Sequence, residues 1–166
     1  IIDEEQRFGV AHKEAFKQLR TLVDVLTLTA TPIPRTLYMS MTGARDLSLL
    51  QTPPLERLAI ETTAIRYNEA AVRQAILREV NREGQAFYLH NRVLTIESIC
   101  NRLRTLVPEA RFEIAHGQMA AGELRHVMAR FVNGDFDILV CTTIIESGMD
   151  IPRANTILID RADRFG

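Results

Sequence analysis

An apolar stretch at residues 138–141 restricts the fold of this 166-residue chain more than any other feature. It reads Ile-Leu-Val-Cys, ends abruptly in Thr142 and Thr143, and is followed within a short loop by Gly148 and Asp150. This pattern is typical of a buried strand in a parallel sheet. Ligands of open α/β sheets bind beyond the carboxyl ends of the strands, so these polar residues are candidates for a binding site. A strand followed by an ordinary turn would have the same spacing, and the stretch alone leaves both interpretations open.

The second part of the chain alternates between strand-like and helix-like spacing of apolar residues. Strands are predicted at 58–65, 86–89, 112–115, 136–141 and 156–159, and helices at 69–83, 96–106 and 121–131. Asn68 and Thr95 are the predicted N-caps of the first two helices. This order predicts the α/β class, with a parallel sheet and helices on its faces.

The same alternation brings three polar segments to one edge of the predicted sheet. They are 116–118 (His-Gly-Gln), 142–143 (Thr-Thr) and 160–161 (Asp-Arg), and each follows a predicted strand. Their convergence indicates a ligand-binding edge without naming the ligand. His116 considered by itself is more often a hydrogen-bonded structural residue than a catalytic one.

The first part of the chain has a less regular pattern. A helix is predicted at 11–22, a strand at 24–29, and a second helix from Pro34 to Met41. Pro53 and Pro54 then interrupt the pattern, which indicates a domain boundary. We therefore expect two domains, 1–52 and 53–166.

Composition excludes several classes of protein. The formal net charge of -1 gives no global basic field for nucleic acid, although a local patch remains possible. The two cysteines have no CxxC spacing, which favours a reduced, cytoplasmic protein over a secreted disulfide scaffold. No apolar run is long enough to span a membrane. Because the sequence begins with Ile1-Ile2, like the end of a strand, and has no initiator Met, we expect it to be a piece of a longer protein.

Acidic residues follow that first apolar pair, in the order Asp3-Glu4-Glu5. Phosphoryl-transfer enzymes commonly use one carboxylate to hold Mg²⁺ and another polar group to orient the attacking nucleophile. A solvated acidic turn would read the same way and is the commoner explanation of an isolated triplet. A metal-hydrolase site that also used His12 finds no further ligands at suitable spacing.

Several segments taken together resemble the motifs of superfamily 2 helicases and translocases. The matching segments are 3–6 (Asp-Glu-Glu-Gln, motif II), 29–32 (Thr-Ala-Thr-Pro, motif III), 88–91 (Tyr-Leu-His-Asn, motif IV) and 142–152 (motif V). The longer segments 29–37, 116–119 and 160–166 resemble the RecG/Mfd branch of that superfamily. Within the branch, Gln118 and residues 141–146 favour the Mfd subfamily over RecG.

The resemblance implies roles for residues around a nucleotide. Asp3 would hold Mg²⁺ through water, and Glu4 would activate the water that attacks the γ-phosphate of ATP. Gly148 and Asp150 would lie near the nucleotide, between two RecA-like lobes. The chain would then contain the end of the first lobe (1–52) and most of the second (53–166), which would end before motif VI.

The resemblance also implies a DNA side of the site. Thr29 and Thr31 would couple the ATP site to the DNA site, and His116 belongs to the same DNA-binding or coupling set. Thr142 and Thr143 would contact a backbone phosphate, a role that suits hydroxyl donors.

In the family, ATP hydrolysis drives movement along double-stranded DNA. This movement displaces stalled RNA polymerase and recruits excision-repair proteins, partners that would bind regions outside these residues. No GxxxxGK[ST] motif occurs in the chain, so we expect it to be inactive alone, and an incomplete lobe is expected to self-associate. Two alternatives remain: a RecG-like helicase acting on branched DNA, and a non-catalytic α/β binding module.

Overall fold

The chain divides into two units, residues 1–60 and 61–166. This computed structural model describes residues 1–3, 8–9, 23–29, 48–50, 52, 59–143 and 151–165. The predicted helices at 11–22 and 34–41 lie outside the described residues. The predicted domain boundary after residue 52 stays a prediction. The division between the two units lies eight residues further along the chain.

The first unit contains a two-stranded parallel sheet among its described residues. Strand β1 (Ile2–Asp3) pairs with β2 (Thr27–Leu28), with Ile2 opposite Thr27 and Asp3 opposite Leu28. The Ile2 amide also donates to the Leu26 carbonyl at 2.8 Å. The strand predicted at 24–29 is therefore present, but it is only two residues long.

The second unit is built on a four-stranded parallel sheet. In chain order its elements are α1 (Glu69–Asn81), β3 (Gln85–Leu89), α2 (Val93–Leu106), β4 (Phe112–Ala115), α3 (Ala121–Asn133), β5 (Ile138–Cys141) and β6 (Ala154–Ile159), followed by a 3₁₀ turn (Ala162–Arg164). The strand order across the sheet is β4-β5-β3-β6, and every pair is parallel. The two central strands, β3 and β5, are buried along their whole length, as their continuous apolar sequences require.

Each face of the sheet carries its own apolar cluster. Helices α1 and α2 cover one face with Ile76, Ile96, Cys100 and Leu103, which pack against residues of the strands. Helix α3 covers the opposite face, where Phe131 packs between the aromatic rings of Phe87 and Phe136 at centroid distances of 5.1 Å. Two helical layers thus enclose the sheet, and its edges are left for loops.

Helix ends follow the sequence signals in part. Asn68 caps α1 as predicted, because its Oδ1 accepts the Ala70 amide at 2.9 Å. Helix α3 ends at Gly134, whose φ of 82° lies in the left-handed region that glycine adopts at low cost. The prediction for α2 was wrong: its N-cap is Arg92, which makes no side-chain capping bond, and Thr95 lies inside the first turn.

The prediction of a strand at 58–65 was also wrong over the described residues of that range. Residues 59–68 form neither helix nor strand, and the side chains of Ile60 and Ile65 are 78% and 64% exposed. An alternating pattern becomes a strand only where a neighbour accepts its hydrogen bonds, and neither edge of the four-stranded sheet pairs with this described segment.

Two buried polar side chains join elements of the second unit. The carboxylate of Glu79 in α1 is fully buried, where it accepts two hydrogen bonds of 2.7 Å from Arg82 and one from the Thr156 hydroxyl of β6. The Gln85 amide nitrogen donates to the carbonyls of Phe131 at 2.7 Å and Phe136 at 2.9 Å. Helix α1 is thereby tied to β6, and the turn between α3 and β5 is tied to β3.

Candidate functional site at the carboxyl edge of the sheet

The four strands of the second unit end in register. Ala115 lies opposite Cys141, which lies opposite Leu89, which in turn lies opposite Ile159. The residues that follow these strand ends are His116, Thr142, His90 and Asp160. The structure therefore brings the polar segments that follow 115, 141 and 159 to one edge, as the sequence predicts, and it adds His90 to them.

His90 is the centre of a hydrogen-bonded group at this edge. The residue is 1% exposed, with Nδ1 2.7 Å from Asp160 Oδ2 and Nε2 2.7 Å from Thr95 Oγ1. The amide nitrogens at the strand ends continue the ladder, since His90 donates to the Cys141 carbonyl at 2.8 Å and Asp160 donates to the Leu89 carbonyl at 2.9 Å. One side chain therefore connects the end of β3, the end of β6 and the first turn of α2.

Hydroxyl, imidazole and carboxylate occur here in the order found in hydrolytic triads. The arrangement also fits a purely positioning role. Because Nδ1 and Nε2 each have a partner within the protein, the imidazole has no free nitrogen for a substrate. The group is suited to holding the loop after β3, which carries Asn91 and Arg92 exposed at this edge.

His116 stands at the start of a tight turn after β4. Its carbonyl accepts the Met119 amide at 3.1 Å, and its own amide contacts the Met119 sulfur at 3.3 Å. The ring atom Nδ1 is buried without a hydrogen-bond partner among the described residues. Buried polar atoms of this kind are uncommon in folded proteins, so this nitrogen is a candidate to bind a further group.

Thr142 and Thr143 continue β5 into the edge. Thr142 is 8% exposed and donates its amide to the Ala115 carbonyl at 3.3 Å, whereas Thr143 is exposed. Cys141, directly before them, is fully buried, and this burial raises the pKa of its thiol to about 12. Of the two threonines, only Thr143 presents its side chain freely to a ligand at this edge.

In the first unit, the parallel pairing places Asp3 and Thr29 at the same end of the small sheet. Asp3 lies opposite Leu28, and Thr29 is the next residue of that strand. Both residues are exposed. This is the arrangement expected if motifs II and III contribute to one site.

Four of the predicted site residues lie outside the described residues: Glu4, Thr31, Gly148 and Asp150. Their roles stay predictions. Within the described part of the chain, no three His, Cys, Asp or Glu side chains come together as a metal site. A single carboxylate such as Asp3 still fits Mg²⁺ bound with a nucleotide, because Mg²⁺ commonly takes one or two protein carboxylates together with phosphate oxygens and water.

Sequence reasoning missed His90 as a site residue, although a signal was available. His90 follows the apolar strand 85–89 directly, just as His116 follows 112–115. The same rule about strand ends applies to both. The pairing with Asp160, seventy residues away, was visible only in the three-dimensional structure.

The helicase conserved C-terminal domain family matches residues 68–164, and the chain belongs to this family. The match covers α1 to the 3₁₀ turn and therefore the whole edge described above.

Among curated proteins, the chain is 59% identical over all 166 residues to the transcription-repair-coupling factor of Escherichia coli K12 and 55% identical to that of Staphylococcus haemolyticus. It spans only 14% of the length of each of these relatives.

Solved structures agree with the sequence comparisons. The structure of RecG bound to a three-way DNA junction superposes with a TM-score of 0.73 at 32% identity, covering 99% of this chain and 22% of that chain. A structure of Dbp5 from Saccharomyces cerevisiae bound to RNA and ADP BeF3 superposes with a TM-score of 0.57 at 18% identity over 93% of this chain and 42% of that one, which shows a shared fold alone. The predicted fold class, a RecA-like parallel sheet with flanking helices, is confirmed, and so is the resemblance to the RecG/Mfd branch of superfamily 2.

Among the described residues, no helix has the length and apolar character needed to cross a bilayer.

Proposed function

We propose that this chain is part of an ATP-driven translocase on double-stranded DNA that displaces stalled RNA polymerase and couples transcription to excision repair. The observation that carries the proposal is the convergence of the four strand ends at one edge, which belongs to a helicase-family domain. The higher identity to transcription-repair-coupling factors than to RecG favours this function over a RecG-like activity on branched DNA. Asp3 and Glu4 would act with Mg²⁺ and ATP, and Gly148 and Asp150 would lie near the nucleotide.

The edge has the chemistry of a phosphate-binding surface. Arg92 and Asn91 are exposed, Thr143 offers a hydroxyl, and the first-turn amides of α2 have no side-chain cap. Uncapped helix N-termini and hydroxyl donors bind phosphate groups without reading the base sequence. We expect these groups, together with His116 and Thr142, to follow the backbone of one DNA strand, while Thr29 and Thr31 couple DNA binding to the ATP site.

Two measurements test the proposal. The first is the ATP hydrolysis rate, with and without double-stranded DNA, of the 166-residue chain and of a longer chain that extends in both directions to include a P-loop and motif VI. Because the 166 residues have no P-loop lysine, we expect no hydrolysis by the short chain and DNA-stimulated hydrolysis by the long one. An inactive long chain would instead favour a non-catalytic binding module.

The second measurement concerns the edge itself. In the longer chain, Arg92→Ala is expected to weaken binding to a DNA duplex and to reduce the slope of log affinity against log salt concentration by about one unit. Arg78→Ala, at the far end of α1, is the matched control and should leave the slope unchanged. Equal slopes for the two variants would place the DNA elsewhere.

A further inference from the structure

Residues 90–95 run from the end of β3 into the first turn of α2, and hydrogen bonds close them into a loop. The two ends meet through their side chains, since His90 Nε2 lies 2.7 Å from Thr95 Oγ1. The backbone is joined as well: the Arg92 amide donates to the His90 carbonyl at 2.9 Å, and the Thr95 amide donates to the Arg92 carbonyl at 3.2 Å. Arg92 is therefore held at both its amide and its carbonyl, in an extended conformation.

The Thr95 hydroxyl connects the imidazole of His90 to Arg92. Besides lying 2.7 Å from Nε2, it donates to the Arg92 carbonyl at 3.5 Å, the same oxygen that accepts the Thr95 amide. On the other side of the ring, Nδ1 lies 2.7 Å from Asp160 Oδ2 at the end of β6. A buried ring with both nitrogens engaged keeps one orientation, and it thereby fixes the hydroxyl that contacts Arg92.

The guanidinium of Arg92 differs from its backbone, because it is exposed and forms no ion pair with a described residue. Other arginines of the second unit are engaged: Arg73, Arg102 and Arg111 each pair with a carboxylate. Arg92 thus combines a held backbone with a cation that is available to an anion. Fixing the backbone before a ligand arrives reduces the entropy that is lost on binding.

We propose that His90 and Thr95 are positioning residues, which hold Arg92 in place to bind a phosphate group of the DNA backbone. The inference rests on the proposed translocase function. The guanidinium would donate to phosphate oxygens, for which its planar array of donors is suited, and the imidazole would not contact the DNA. The network would raise DNA affinity without adding charge. The salt dependence of binding reports the number of phosphates neutralised, so it should not depend on the network.

The test compares Thr95→Val with Thr95→Ser in the longer chain that includes a P-loop and motif VI. Valine keeps the branched shape of threonine but cannot form a hydrogen bond with His90, whereas serine keeps the hydroxyl. Binding to a DNA duplex is followed by fluorescence anisotropy at several salt concentrations. Thr95→Val should weaken binding about threefold to tenfold at each concentration, with the wild-type slope of log affinity against log salt concentration. Thr95→Ser should bind as the wild type does.

Thr105→Val is the matched control, because Thr105 lies in the last turn of the same helix and its hydroxyl donates to the Asn101 carbonyl at 3.0 Å. This variant also removes one hydroxyl from α2, but at the end of the helix away from the 90–95 loop. It should leave DNA affinity unchanged. A loss of affinity as large as that of Thr95→Val would show that the effect comes from the helix as a whole and would overturn the inference.

A double variant, Arg92→Ala with Thr95→Val, separates positioning from a general structural role. If Thr95 acts only through Arg92, then Thr95→Val should cause no further loss of affinity once the guanidinium is gone. An equal loss with and without Arg92, a changed salt slope for Thr95→Val, or wild-type affinity of Thr95→Val would overturn the inference.

The same measurements distinguish this inference from the proposed function. If the longer chain hydrolyses ATP in response to DNA while Arg92→Ala binds the duplex as the wild type does, the inference fails and the translocase function stands. If the wild-type longer chain does not bind the duplex, both fail.

Discussion

The His90–Asp160 pair makes a quantitative prediction that a double-mutant cycle can test. In Asp160→Ala, the buried His90 ring loses the partner of Nδ1, which lies 2.7 Å from the carboxylate. His90 is only 1% exposed, so its unpaired nitrogen stays largely shielded from water. Leaving such a group unsatisfied costs about 2 kcal/mol of unfolding free energy.

His90→Phe should cost less, about 1 kcal/mol, because Asp160 and Thr95 both retain access to water and can be solvated. In the His90→Phe background, Asp160→Ala no longer leaves a buried nitrogen without a hydrogen-bond partner. The double variant should therefore be more stable than the sum of the two losses implies, with a coupling energy of about 1 to 2 kcal/mol.

The assay is urea unfolding of the 166-residue chain followed by far-ultraviolet circular dichroism, since the sequence has no tryptophan to report by fluorescence. At a slope of about 2 kcal/mol per molar urea, Asp160→Ala should lower the midpoint by about 1 M. Asp163→Ala is the control, because that carboxylate is 74% exposed and pairs with Arg164 at the surface. Additivity of the two losses within about 0.5 kcal/mol would refute a direct His90–Asp160 interaction.

Three further predictions concern stability and thiol reactivity. Gly134→Ala should destabilise the chain by about 1 kcal/mol in urea unfolding, because the φ of Gly134 is 82°. Gly122→Ala, in an open helical position, should stabilise the chain by up to about 1 kcal/mol. Losses of equal size for the two variants would contradict the backbone argument. Phe131→Ala should lower the free energy of unfolding by about 3 to 5 kcal/mol, because it leaves a cavity in a fully buried aromatic group. Val132→Ala should lower it by less than about 1 kcal/mol, because Val132 is 46% exposed. Similar thermal midpoints for the two variants would show that the core is misassigned. The pKa of the Cys141 thiol is raised from 9.0 to about 12, so Cys141 should resist a thiol reagent at pH 8 until urea is added. The contribution of this thiol to stability is present below pH 9 and should be lost as the pH rises toward 12. Rapid labelling of Cys141 in the folded chain would disprove its burial.

The architecture of the second unit was predictable because local signals and packing agree there. The apolar runs at 85–89 and 138–141 are too continuous for a half-exposed strand, and both are fully buried. The Asn68 cap begins α1 at the residue that the sequence indicated. In these places the local preference and the global fold require the same conformation.

Other features depended on contacts that the sequence does not display. On α1 the structure buries the apolar residues Val72 and Ile76, but it buries Glu79 fully as well. That burial becomes tolerable only because Arg82 and Thr156 satisfy the carboxylate, and Thr156 is seventy-seven residues away.

The candidate site, like the fold, was predictable from the sequence only in part. The rule that ligands bind beyond strand ends correctly gathered the segments after residues 115, 141 and 159. It did not distinguish Thr142, which is buried, from Thr143, which is exposed, because that difference depends on how the loop leaves the sheet. The prediction of Thr95 as a helix cap failed for a related reason: its hydroxyl lies 2.7 Å from His90 Nε2 and donates to the Arg92 carbonyl at 3.5 Å, and it accepts no backbone amide of the helix.

The hydrogen bonds of Gln85 have a consequence for how the length of this domain can vary. One side-chain amide holds the carbonyls of Phe131 and Phe136, on either side of a turn of fixed length. A residue inserted between them would separate the two acceptors and leave a buried donor without one. Insertions and grafted loops should therefore be rejected at this end of the sheet.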